Sequence, residues 1–90
     1  MPIRVEIVSQ DRPVFEGDVD IVVAPGEDGE MGILPHHAPL VTLLGVGTLT
    51  VRQASGSGVF KVSGGFLQVL GDTVRIVADR VEGSSGASAV

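Results

Sequence analysis

Hydrophobic and polar positions alternate along most of this chain. Ile3, Val5 and Ile7 fall on one side of the first run, Arg4 and Glu6 on the other. A period of two is the mark of a strand with one buried face. Ser9 to Pro13 reads as a turn, with the proline confined to an edge. Val14-Phe15-Glu16 starts a second run, and Gly17 is expected to break it or to mark a bulge. Residues 18–23 alternate again and stop at Pro25-Gly26, a turn signal. Residues 31–34 read as a short strand that ends at Pro35. Residues 48–52 and 59–62 flank Ala54-Ser55-Gly56-Ser57-Gly58, so 48–62 reads as a hairpin with a flexible connection. Ser63-Gly64-Gly65 reads as a kink. Residues 66–70 and 73–78 flank Gly71-Asp72, a two-residue hairpin turn.

Residues 40–44 are apolar except for Thr42, which fits a buried strand or one helical turn equally well. No amphipathic pattern of helix length is present. Many short strands with glycine and proline turns give an all-β fold, a sandwich or barrel of mostly antiparallel strands. Residues 1–82 are expected to form one domain, with Phe66 in its core. Residues 83–90 are a Gly/Ser/Ala tail of flexible composition.

Composition narrows the function classes. Ninety residues suit one small domain, and no cysteine is present to staple it or to supply a thiolate. Valine, leucine and isoleucine must fill the core, since Phe15, Phe60 and Phe66 are the only aromatic residues. The net charge of −5 opposes nucleic-acid binding, which needs a clustered basic face. The first residues lack the apolar run of a signal peptide, and no run approaches the ~20 residues of a membrane helix. A soluble, intracellular chain is expected.

The alternation breaks at residues 26–41, where Glu27, Asp28, Glu30, His36 and His37 gather among glycines and prolines. Adjacent strand residues point to opposite faces, so His36 and His37 do not chelate one metal from a strand. A catalytic zinc site needs three protein ligands. A small β-sandwich binding a metal or small ligand through Glu27, Glu30, His36 and His37 stays as an alternative. The acids do not make a calcium loop, because Ile33 and Leu34 interrupt any regular run of oxygen ligands. A glycosidase cleft is opposed by the lack of tryptophan and tyrosine. Gly26, Gly29 and Gly32 match no phosphate-binding string and read as turns, bulges or close backbone approaches. Lys61, the only lysine, lies inside a strand rather than at a hairpin tip, so it is a poor carrier of biotin or lipoate.

Three strings carry a family resemblance. They are Gly29-Glu30-Met31-Gly32-Ile33-Leu34-Pro35-His36-His37-Ala38-Pro39-Leu40, Val62-Ser63-Gly64-Gly65-Phe66-Leu67-Gln68-Val69 and Val77-Ala78-Asp79. With the opening Val5-Glu6-Ile7-Val8-Ser9 and Phe15-Glu16-Gly17, they span residues 3–82. In order and spacing they resemble the epsilon subunit of F-type ATP synthases, the counterpart of the mitochondrial delta subunit. That resemblance implies a flattened sandwich of about ten strands at the foot of the rotating central stalk. It implies a non-catalytic chain without a cofactor, which binds the gamma subunit and rests on the membrane-embedded ring of c subunits. By the same analogy Asp28, Gly29, Glu30, Met31 and His37 would meet the c-ring. His37, Ala38, Leu40, Thr42 and Leu43 would meet gamma. Contact with the membrane would be indirect, on the cytoplasmic face of a bacterial membrane or the stromal thylakoid face in a plastid. Pro35 and Pro39 bracket the histidines and reduce the freedom lost on association.

Two departures from the family pattern stand out. Relatives usually continue into a pair of C-terminal helices, and the tail begins where those helices would start. The implied expectation is that this polypeptide has no epsilon-type braking arm and none of the family's ATP site. His36 follows Pro35 where many relatives carry glycine, which bears on the backbone of that loop.

Overall fold

A computed structural model describes residues 2–10, 12–35, 38–54 and 56–82. Eight strands follow one another: β1 (Ile3–Ser9), β2 (Arg12–Val19), β3 (Ile21–Gly26), β4 (Gly29–Ile33), β5 (Leu40–Leu43), β6 (Val46–Gln53), β7 (Gly56–Leu70) and β8 (Thr73–Glu82). They hydrogen-bond in the order β2-β1-β8-β7-β6-β3-β4, with β5 added to β7 off that path. Every pairing is antiparallel except that of β1 with β8, which is parallel.

The fold turns on β7. Its first half pairs with β6 and its second half with β5, while β8 follows it from Lys61↔Glu82 to Leu70↔Thr73. Val62 and Leu67, five residues apart, are both buried. The period of two is therefore broken once between them, at Gly64 (φ 70°) and Gly65 (φ 112°). An added Cβ at Gly65 would run into the Val77 carbonyl oxygen, and one at Gly64 would lie 2.6 Å from the Asp79 carboxylate. The glycines let β7 and β8 turn a corner together, so one continuous sheet folds into two layers. One layer is β2-β1-β8-β7-β5 and the other is β4-β3-β6-β7-β8.

The core lies between the layers. Ile3, Val5, Ile7, Val74, Ile76, Leu67 and Val69 face Val22, Ile33, Leu49, Val51 and Phe60 across it, all nearly without exposure. Phe15 and Phe60 meet edge to face with ring centroids 5.9 Å apart, a favourable aromatic geometry. No polar side chain is buried among the described residues, so apolar packing alone supplies the interior.

The all-β sandwich-like class is as expected, and both hairpins, 48–62 and 66–78, form. Eight strands replace ten because Ser63-Gly64-Gly65 bends β7 without interrupting it. Counted per layer, β7 and β8 contribute twice and restore ten. Several boundaries shift. Gly17 lies inside β2, and the bulge falls between Ile7 and Val8 instead. The break before β3 comes at Asp20, whose N–H donates to the Arg52 carbonyl at 2.7 Å. Pro25-Gly26 belongs to β3, and the turn is Glu27-Asp28. Gly56, Ser57 and Gly58 pair with β6 rather than forming a loose connection. Residues 40–43 are a strand. Phe66 is not core: it is 41% exposed. The tail 83–90 lies outside the described residues.

Candidate functional site

The polar break in the sequence becomes the tip of the β3–β4 hairpin. Glu27 and Asp28 form its two-residue turn, closed by Gly26↔Gly29. Gly29 has φ 134°, a value open to glycine and strained for other residues. The Pro25 carbonyl accepts from the Gly45 N–H at 2.8 Å, and Gly26 bridges to Leu44. These contacts hold the hairpin against the chain that leaves β5. The turn is thus a fixed protrusion rather than a loose loop.

Glu27, Asp28, Gly29 and Glu30 are exposed, and Met31 is half-buried with its side chain against the core. The ion pairs among the described residues belong to Arg4, with Glu16 at 3.3 Å and Asp18 at 3.6 Å. The three acids of the turn therefore present their charge to solvent. A cleft of about 310 Å³ is lined by residues 26–31 and by Thr42 of β5. Asp28, Gly29, Glu30, Met31 and Thr42, singled out separately in the sequence, are brought to one place.

Strand β5 behaves differently. Leu40 and Thr42 are half-buried, with Leu40 against the core, while Val41 (68%) and Leu43 (55%) point to solvent. Leu43 pairs with Phe66, Phe66 with Val77, and Val77 with Val8. Pairs directly opposite in neighbouring strands share a face. The result is an apolar row across four strands on the outside of the first layer. Leu43 thus faces away from the acidic cleft, beside a phenylalanine that sequence reasoning placed inside. Gln68 was the available signal, since Phe66 shares its parity and Leu67 and Val69 take the other. Ala38 and Pro39 are exposed. His36 and His37 lie outside the described residues, and with them the metal or small-ligand alternative. Among the described residues no three His, Cys, Asp or Glu side chains group as metal ligands.

The described surface thus carries an exposed acidic turn on one side and an apolar row on another. The protein-family model for the ATP synthase delta/epsilon chain, β-sandwich domain, matches residues 2–84, and the chain belongs to that family. It is 51% identical over 79 residues to the ATP synthase epsilon chain of Desulforamulus reducens, covering 88% of this chain and 60% of that one. It is 49% identical over 82 residues to the epsilon chain of Chloroflexus aurantiacus, covering 91% of this chain and 59% of the other. The chain thus spans about three fifths of the length of these curated relatives. Among solved structures it is similar to a chain of the Euglena gracilis mitochondrial ATP synthase in an assembly of OSCP, F1 and c-ring, with TM-score 0.85 and 27% identity. That match covers 91% of this chain and 53% of that one. A chain of the Tetrahymena thermophila mitochondrial ATP synthase central stalk and c-ring shares the fold, with TM-score 0.76, 17% identity and coverage of 90% and 66%.

Proposed function

We propose that this chain is a non-catalytic rotor component of an F-type ATP synthase, held to the gamma subunit and seated on the c-ring, where it helps pass ring rotation to gamma. In this reading it is peripheral to the membrane, on the cytoplasmic face in a bacterium or the stromal thylakoid face in a plastid, and reaches the lipid only through the complex. Asp28, Gly29, Glu30, Met31 and His37 contact the ring. His37, Ala38, Leu40, Thr42 and Leu43 contact gamma.

One observation carries the reading. The acidic hairpin is fixed by backbone contacts to Leu44 and Gly45, directly after β5, so a surface for a polar partner and a surface for an apolar partner are joined. A part that transmits torque needs two contacts that do not slip relative to each other. The exposed carboxylates set orientation more than affinity, since exposed ion pairs contribute about 0–1 kcal/mol. The uncovered side chains of Val41, Leu43 and Phe66 supply apolar area for affinity.

Calorimetry against purified gamma subunit from the same source tests this. One-to-one binding that weakens with His37→Asp or Thr42→Arg is expected. Absence of binding at high micromolar concentration overturns the gamma assignment.

A further inference from the structure

Strand β4 ends the hydrogen-bonded order, and among the described residues nothing pairs with its outer side. The pattern of pairing shows which of its groups face outward. Gly26 and Gly29 close a two-residue turn, and bonded pairs alternate with unbonded ones along an antiparallel ladder. Ala24↔Met31 and Val22↔Ile33 are then the bonded pairs. Proline has no N–H to give, and the Pro25 carbonyl is taken by Gly45 on the opposite side. Glu30, opposite Pro25, and Gly32, opposite Val23, therefore turn both their N–H and their C=O away from β3.

Gly32 adds an independent clue. Its φ is not positive, and among the described residues a Cβ built on it meets nothing within 4 Å. No described residue requires a glycine there, although glycine weakens a strand interior. Gly64 and Gly65 are explained by neighbours inside the molecule; Gly32 is not. A side chain is missing on the outer face of an edge strand, between Glu30 and the exposed Leu34. That leaves a slot for something from outside.

We infer that the free edge of β4 is a strand-addition site, which takes an extended segment of a partner subunit onto the main chain of Glu30 and Gly32. Main-chain bonds hold such a segment, and side chains at alternate positions select it. The residue opposite Gly32 shares its face and fills the slot, so it is bulky and apolar. The residue opposite Glu30, two positions away, shares that face too and is Lys or Arg. A second copy of this chain is disfavoured, because its own edge would bring Glu30 and the acidic turn against their like. This inference rests on the proposal that the chain works inside ATP synthase, and it specifies how the acidic hairpin is held there.

The test is residue-resolved hydrogen exchange on the full chain, free and assembled with gamma and the c-ring of the same source. The Glu30 and Gly32 amides should exchange roughly tenfold or more slowly on assembly, while Met31, already bonded to Ala24, changes little. Gly32→Pro removes an outward N–H where an edge strand tolerates proline, and Gly32→Val fills the slot. Neither should lower the melting temperature of the parent, and both should bind the depleted gamma–ring complex roughly tenfold more weakly. If either variant does not fold, the exchange measurement on the parent chain decides. Assembly with both amides still fast, or with both folded variants binding normally, overturns the strand-addition site and leaves the stalk function standing. Protection of these amides in the concentrated free chain points to a second copy and also overturns it. Failure to assemble at all overturns the stalk function itself.

Discussion

Two glycines in this chain have opposite explanations. Gly65 sits at the corner of β7, where φ is 112° and an added Cβ would strike the Val77 carbonyl. Gly32 sits on the edge strand β4, where no described neighbour lies within 4 Å of an added Cβ. Both belong to strings that mark the family, yet the molecule itself demands only the first. The corner glycine is an answer to folding, and the edge glycine is an answer to something the folded chain meets. A motif read from sequence does not separate these two demands; the space around each residue does.

Substitutions can widen that contrast. Gly65→Ala should be the most damaging, because both the backbone angle and the neighbouring carbonyl oppose it. A loss of about 4 kcal/mol or more, or failure to fold, is expected in denaturant unfolding. A loss under about 1 kcal/mol would show that the corner relaxes freely. Phe60→Ala should cost about 3–5 kcal/mol, since its ring is buried against Phe15. Phe66→Ala should cost only about 1 kcal/mol, because the ring lies on the apolar row outside the core. Equal losses for the two phenylalanines would contradict the change of parity at the corner. Gly32→Ala should raise stability by about 0.4–1 kcal/mol, as its strand geometry suits alanine and the unfolded chain loses freedom. A destabilised Gly32→Ala protein would mean the fold does need that glycine. Smallest of all, Glu30→Lys should move stability by less than about 0.5 kcal/mol. The same substitution should lower proton-coupled ATP synthesis in the assembled enzyme, and unimpaired coupling would remove Glu30 from the contact.

The same contrast explains what the sequence disclosed. Alternation found the strands wherever one face is polar, as in β1, where Arg4 and Glu6 leave no doubt about the buried side. It failed where both faces are apolar. Residues 66–70 offer Phe66 and Leu70 on one parity and Leu67 and Val69 on the other, and only Gln68 tells them apart. Turn residues misled where they lie inside strands. Pro25 and Gly17 looked like stops, but each fits within a strand whose neighbours leave room for it. The acidic hairpin was legible as a polar cluster. Its attachment to the chain leaving β5, through Gly45 and Leu44 nearly twenty residues later, had no local signal.

The parallel pair of β1 with β8 sets the timing of self-assembly. Ile3, Val5 and Ile7 are buried beside Val74, Ile76 and Ala78, so the first strand waits for the eighth. On the ribosome β1 and β2 remain without their β8 neighbour until residues 73–82 have emerged. Local hairpins such as β6–β7 can form early, whereas this closure joins distant segments and is slow. Until it happens, the edge of β1 that β8 will occupy is open to chaperones and to other nascent chains.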